Sequence, residues 1–153
     1  MNEIENIIEL AATVRESTNK RLALIPEGFE EWRLADDKMS IADVVHHLIE
    51  CDYWTIEKLR NPGLKAIDGV VNAIQIKSRK DFNELVEKLT AALIHKIEFF
   101  RNLSVSDLEI KMYDDRFGEE VNIWWIIMRG NIDHEIHHRG QLSAYLQMIN
   151  SGK

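Results

Sequence analysis

"DHEIHHRGQLSAYL", residues 133–146, places three histidines within five residues of a segment that has a helical hydrophobic pattern. Successive residues of an α-helix are about 100° apart, so His134 and His138 lie one turn apart on the inward face. His137 lies off the centre of that face. The inward stripe is predicted to contain Ile123, Ile127, Gly130, His134, His138, Gln141, Tyr145 and Met148.

Two imidazoles one turn apart on a buried stripe indicate a metal site. A lone histidine on an apolar face is more often a hydrogen-bonded core residue, and that alternative stays open for either residue taken alone. Burying both without a ligand would leave several polar atoms in need of partners. The pair therefore favours a shared metal ion.

Residues 134–138 also match the H-E-x-x-H motif of zinc proteases, in which the glutamate is the general base. Such an enzyme needs a third ligand, but only fifteen residues follow His138 and none of them is His, Asp or Glu. We therefore expect the protease match to be coincidental and Glu135 to be a solvated charge on the helix surface, with a role as a base as the alternative.

The rest of the chain predicts an all-α fold, a four-helix bundle with one longer crossover connection between the second and third helices. The second helix begins at Ser40, where Asp43 completes a capping box. The segment 61–77 is open between a short helix and a loop, and residues 110–123 between a hairpin and an extended loop. The four helices are predicted at about 2–24, 40–60, from 78 onward, and 122–150.

The second helix supplies the best third ligand. Its apolar stripe contains Leu48 and Cys51, with His47 on the flank and His46 on the opposite side. A histidine at the seam between helices is the alternative for His47. His95, on the third helix, has no partner pattern and is assigned a structural or surface role.

Three neutral imidazoles suit one divalent transition metal, Zn or Ni first and Fe or Co as well. Three protein ligands leave an open coordination position for water or substrate, as catalytic sites require.

Composition narrows the cellular context. The 153 residues, 45% of them hydrophobic, predict one domain (1–153) with a genuine core. A net charge of −7 argues against binding to nucleic acid or to an anionic membrane surface. A single cysteine, with no signal peptide and no apolar run of about 18 residues, predicts a cytoplasmic protein.

At this point the chain resembles the DinB/YfiT-like family of metal-binding four-helix bundles over nearly its whole length. The resemblance rests on "MSIADVVHHLIECDYW" (39–54) and on "DHEIHHRGQLSAYL" (133–146), where H-x-x-x-H is followed directly by R-G-Q. It implies the metal ligands His47, His134 and His138, which are also the three that the helical geometry selects.

The resemblance implies a metal-dependent transferase that joins a low-molecular-weight thiol to a small electrophile. Two alternatives stay open, a metal-dependent hydrolase of a small substrate and a non-catalytic metal-binding bundle of the stress response. Relatives with this fold often pair, and adjacent Trp124 and Trp125 cannot both face one core, so we also expect a homodimer.

Four residues beside the ligands are assigned supporting roles. Gln141 is a candidate to orient a metal ligand, and Arg139 is expected in an ion pair. Gly140 is expected to permit close helix approach beside the metal. Cys51 is expected to be a small buried core residue, with metal ligation or redox sensitivity as the alternatives.

Overall fold

A computed structural model describes residues 1–152 and has the predicted all-α architecture, with four long helical rods and one small hairpin. No described helix is long and apolar enough to span a membrane. The rods are α1 (Glu3–Ala23), α2 (Ile41–Arg60), α3 (Arg79–Arg101) and a composite rod of α4 (Ile123–Ile127), a π-helical turn (Met128–Ile132) and α5 (Asp133–Ser151).

The helices form a bundle in which α1 and α2 occupy opposite corners. Each of these two helices packs against both α3 and α5. The connection 61–78 therefore joins neighbouring helices, whereas residues 24–40 and 102–122 join helices on opposite corners.

α2 and α3 run parallel, because Tyr53 lies beside His95 while Arg60, near the end of α2, lies beside Phe99, near the end of α3. The connection between them therefore runs back along the bundle, and the predicted crossover between the second and third helices is confirmed.

The predicted helix starts are confirmed by their caps. The Ser40 side chain accepts a hydrogen bond from the Asp43 N–H at 3.0 Å, and the Asp43 carboxylate accepts one from the Ser40 N–H at 3.0 Å. The Ser78 hydroxyl accepts from the Asp81 N–H at 3.2 Å. These caps satisfy N–H groups that a helix N-terminus leaves without partners.

The two segments left open in the sequence are now assigned. Residues 61–78 form a loop with isolated turns and no helix. Residues 110–123 contain an antiparallel hairpin of β1 (Lys111–Asp114) and β2 (Glu119–Asn122), whose turn carries Gly118 at φ 70°. In β1 the side chains of Met112 and Asp114 are buried, and they alternate with the exposed Lys111 and Tyr113.

Two apolar clusters are separated by a layer of buried polar residues. One cluster includes Leu22, Leu48, Leu89 and Leu142, and the other includes Ile7, Phe100 and Ile127. The seven residues between them on the helices, which we call the charged layer, are Arg15, Thr18, Asp52, Thr55, Lys96, Asn131 and Glu135, each no more than 3% exposed.

Ion pairs connect every rod within the charged layer. Arg15 donates to the Asp52 carboxylate at 2.7 Å and to the Glu135 carboxylate at 2.7 Å. Lys96 donates to the other oxygen of Asp52 at 2.6 Å and to the Asn131 carbonyl at 2.8 Å. Two cations face two carboxylates, so the layer is electrically balanced, which burial requires.

The Asp52→Asn substitution is expected to destabilise the fold by about 3–5 kcal/mol at pH 7, because Lys96 would lose the carboxylate it pairs with and Arg15 would keep Glu135 alone. Urea unfolding measures this change. The matched control is Asp36→Asn, which removes an exposed carboxylate and should change stability by less than about 0.5 kcal/mol. An equally small effect for Asp52→Asn would contradict the importance of the layer.

Stability is also expected to fall with acidification through the same residue. Burial alone would raise the pKa of Asp52, but Lys96 and Arg15 outweigh it and lower that pKa below its ordinary value. The stabilisation is therefore present above about pH 5 and is lost as pH drops below about 3.9, the value in an unfolded chain. Unfolding free energies of Asp52→Asn and wild type should converge as pH falls.

Candidate metal centre

Three imidazoles converge at the level of the charged layer, between α2 and α5. The ring centroids of His47 and His134 are 5.0 Å apart, those of His47 and His138 are 5.2 Å apart, and those of His134 and His138 are 4.5 Å apart. Imidazoles arranged tetrahedrally about one ion, with metal–nitrogen bonds of about 2.0 Å, have centroids about 5 Å apart. The ring separations therefore match those of three imidazoles around one ion, whereas the donor atoms that lie within 4.8 Å of one another are those of His47, Cys51 and His134.

The imidazoles are neutral at neutral pH. Burial lowers the pKa of His47 to about 4 and that of His134 to about 3, and His138 adds to both shifts. Burial also lowers the pKa of His138, against an opposing hydrogen bond with Gln141. Neutral imidazoles keep the lone pairs that bind metals.

The orientation of His138 directs the lone pair of its Nε2 atom into the cluster, where it could bind a metal ion. Its Nδ1 lies 2.8 Å from Gln141 Oε1, an arrangement that places the proton on Nδ1. The Nε2 atom then faces His134 Nε2 at 3.1 Å. Gln141 in turn donates to the Tyr145 hydroxyl, which donates to the Met39 carbonyl, so a chain of hydrogen bonds holds the ring.

Cys51 also lies at the site, so its assignment as a core residue is wrong. The side chain is half-buried, and its sulfur is 3.5 Å from His47 Nε2. One donor atom each from His47, Cys51 and His134 fall within 4.8 Å of one another, which makes a His–Cys–His set that could hold a metal. Burial, then Asp52 and Glu50, raises the pKa of the thiol to about 12.

The other histidines lie outside the cluster of facing rings. His46 is directed to Glu50, with a separation of 3.4 Å between Nε2 and the carboxylate. His137 is exposed, although its ring is 5.0 Å from that of His138. His95 is exposed beside Tyr53 on another face.

Three sequence-based expectations about neighbouring residues are wrong. Glu135 is 3% exposed instead of solvated, and its carboxylate binds Arg15 and Thr18, so it is not available as the base of a zinc protease. Arg139 makes no ion pair with residues 1–152. Gly140 is exposed, and a side chain there would meet open space.

The loop 61–78 passes over His47. A Cβ on Gly69 would lie 2.6 Å from the Met39 sulfur and 3.6 Å from the His47 ring. Asp43, which also caps α2, accepts hydrogen bonds from the N–H groups of Asn72 and Ala73 at 2.9 Å each. The loop is therefore fastened to the helix that supplies His47, and a side chain at position 69 would push against the end of Met39.

The hairpin supplies a site residue that the sequence analysis missed. Arg116, in the turn between β1 and β2, lines a cavity of about 60 Å³ beside His134. Its position in the sequence, in a turn among other charged residues, gave no signal. The cavity is lined by Cys51, Trp54, Thr55, Ile67, Arg116, Gly130 and His134.

A π-helical turn leads directly into His134. Met128–Ile132 adopts this conformation between α4 and α5, and such turns occur frequently at functional sites. Within it, Asn131 donates to the Thr55 hydroxyl at 3.0 Å and accepts from Lys96. The charged layer thus fixes the turn from which the histidine helix starts.

The fold and site together define a four-helix bundle with a histidine-rich candidate metal centre between its second and last helices. The sequence model of the DinB superfamily matches residues 10–142, and the chain belongs to that superfamily. No curated protein matches it.

Two solved structures have similar folds. A DinB-like protein from Bacillus subtilis matches with a TM-score of 0.69 and 18% identity, covering 95% of this chain and 92% of the other. A DinB-like protein from Bacillus cereus ATCC 10987 matches with a TM-score of 0.67 and 20% identity, with the same coverages.

Alanine at His47, His134 or His138 is expected to abolish stoichiometric metal in the purified protein, because two remaining imidazoles hold an ion weakly. Metal analysis of purified protein measures this. His46→Ala and His137→Ala are the matched controls and should keep metal near the wild-type level. Equal losses in His137→Ala and His138→Ala would show that the cluster is wrongly assigned.

Proposed function

We propose that His47, His134 and His138 bind one divalent transition metal, Zn or Ni first, and that the protein transfers a low-molecular-weight thiol to a small electrophile. The observation that carries this proposal is the convergence of three neutral imidazoles, one of which, His134, lines a cavity that opens to solvent. Three protein ligands leave room in the coordination sphere for one more molecule.

Thiol transfer suits this donor set. A divalent ion bound here would stabilise a thiolate, the nucleophilic form of a thiol. In the reaction the thiol loses its proton to solvent, its sulfur forms a bond to an electrophilic carbon, and the leaving group departs with the electrons of the broken bond. The role of the chain is to hold the reactants, while Trp54 and Ile67 shield one wall of the cavity from water.

The same open position supports the second candidate function, hydrolysis of a small substrate. A divalent ion with three histidine ligands lowers the pKa of a water molecule and so makes a nucleophile at neutral pH. A third outcome is a closed, non-catalytic site, which would follow if Cys51 takes the remaining position. Substitution of Cys51 tests this outcome, because its sulfur lies 3.5 Å from His47 Nε2.

The proposed setting is a reducing cytoplasm, in which small thiols stay reduced.

A homodimer also stays a prediction. Trp125 is 37% exposed beside Phe117, whereas Trp124 donates to the Glu3 carboxylate at 3.0 Å. Light scattering at micromolar concentration distinguishes a dimer from a monomer.

In cobalt-substituted protein, an added thiol is expected to produce a sulfur-to-metal charge-transfer band. The band should strengthen as pH approaches the pKa of the free thiol, about 8.5, since the thiolate coordinates strongly. It should vanish in His134→Ala and persist in Cys51→Ala, which separates the added sulfur from the protein's own.

Other spectra would select the alternatives. A band present before any thiol is added, and lost in Cys51→Ser, would identify Cys51 as a ligand and favour a closed site. No response to thiols, together with metal-dependent hydrolysis of a simple ester, would favour the hydrolase.

A further inference from the structure

We propose that Arg116 binds a carboxylate on the small molecule that enters the metal centre. The proposal rests on the proposed function, because it assigns the chemical class of the molecule that uses the same open position. It concerns the hairpin turn, a part of the chain that contributes none of the histidines.

Arg116 is held in place by contacts on three sides. Its Nε and Nη2 atoms donate to the two oxygens of Asp114 at 3.0 and 2.7 Å, and Nη1 donates to the Gly130 carbonyl at 2.8 Å. The guanidinium carbon lies 4.3 Å from the centre of the Trp54 ring. A side chain held this firmly loses little entropy when it binds a ligand.

The fixed guanidinium still has hydrogen-bonding capacity. It carries five N–H groups, and Asp114 and Gly130 use three of them. The Arg116 side chain is 25% exposed, whereas Asp114 is fully buried. The two remaining N–H groups belong to Nη1 and Nη2, the terminal nitrogens, and N–H groups of a guanidinium bind carboxylates strongly.

Gly130 makes room for this arrangement. A Cβ at position 130 would lie 2.5 Å from Arg116 Nη2 and 2.9 Å from Nη1. Any other residue would therefore displace the guanidinium. Gly130 belongs to the π-helical turn that precedes His134, so one short segment positions both the histidine and the arginine.

Anchoring the hairpin does not explain why the guanidinium faces the cavity. The buried Lys58 ammonium already ties the hairpin to α2 by donating to the Tyr113 carbonyl at 2.8 Å, and it ties the loop by donating to the carbonyls of Pro62 and Leu64. Arg116 instead lines the same cavity as His134.

The cavity has room for a small anion. Its volume is about 60 Å³, which has room for a compact group such as a carboxylate. The apolar walls formed by Trp54 and Ile67 reduce competition from water and so strengthen a charged hydrogen bond. The expected ligand therefore has a carboxylate a few bonds from the atom that coordinates the metal.

Matched thiols test the proposal in the cobalt-substituted protein. Mercaptoacetate and 3-mercaptopropionate are titrated beside their neutral counterparts, 2-mercaptoethanol and 3-mercapto-1-propanol, and the charge-transfer band reports binding. We expect one carboxylate thiol to bind wild type at least about tenfold tighter than its neutral counterpart, the size expected for a charged hydrogen bond. Direct chelation of cobalt by the carboxylate would persist in every variant, so the comparison between proteins isolates Arg116.

In Arg116→Gln the preference should fall about tenfold while the metal content stays at the wild-type level. Arg116→Gln alone leaves the buried Asp114 carboxylate without its partner. The double variant Asp114→Asn/Arg116→Gln removes that charge and should show the same loss of preference, and its melting curve verifies folding. Gly130→Ala should weaken the preference by displacing the guanidinium. Arg129→Gln, which removes a 53% exposed arginine paired with Asp133, should leave the preference unchanged.

A second measurement is independent of thiols. Propionate is titrated into zinc-loaded protein and the Nε–H signal of Arg116 is followed by NMR. A saturable shift supports the proposal even if no thiol produces a charge-transfer band, a result that would sink only thiol transfer. A charge-transfer band with an undiminished carboxylate preference in Arg116→Gln, and no saturable shift, would overturn the role of Arg116 and leave thiol transfer standing.

Discussion

Four buried charges determine how the helices of this bundle align. Arg15 pairs with Asp52 and Glu135, and Lys96 pairs with Asp52. An apolar core tolerates sliding of one helix past another at modest cost, but a buried ion left without its partner costs several kcal/mol. Each rod contributes to the layer, so a shift of one turn in any helix would break an ion pair. The layer between the two apolar clusters thus fixes the position of each helix along its axis relative to the others.

The candidate metal centre inherits its geometry from that layer. Cys51 adjoins Asp52, and His134 adjoins Glu135, so the ion pairs fix the two helices at the residues next to the donor atoms. Asn131 extends the same control into the π-helical turn through Lys96 and Thr55. The imidazoles lie in fixed positions on two separate helices because ion pairs hold Asp52 and Glu135 in the adjoining turns.

Local patterns in the sequence were enough to predict the bundle, the capped helix starts and a histidine pair on one face. The same periodicity would have predicted that Glu135 is buried, because residues 135, 138, 142, 145 and 149 form one buried stripe. The charge of Glu135 favoured an exposed position, and the partner that permits its burial, Arg15, is 120 residues away in the sequence. Met148, assigned to the stripe, is instead 42% exposed, because the stripe continues through Ile149.

Residues from separate parts of the chain could not be assigned from spacing alone. Arg116 reaches the cavity because the hairpin folds back onto α2 and the π-helical turn, and both contacts are long-range. Gly130 was placed on the inward stripe, but its reason for being glycine is a guanidinium 14 residues earlier in the chain. Periodicity describes one helix at a time and does not describe what packs against it.

Charge balance connects the histidine cluster with the hairpin arginine. The charged layer beside the site is neutral as a whole, the three imidazoles are neutral, and Arg116 is already paired with Asp114. A divalent ion held by these imidazoles would therefore bring two positive charges that no carboxylate among its three proposed ligands offsets. Such a site favours anionic molecules over neutral ones of the same shape. A thiolate and a carboxylate on one molecule would supply two negative charges, the first at the ion and the second at the guanidinium, which is why the proposed thiol chemistry and the role of Arg116 follow from the same electrostatic arrangement.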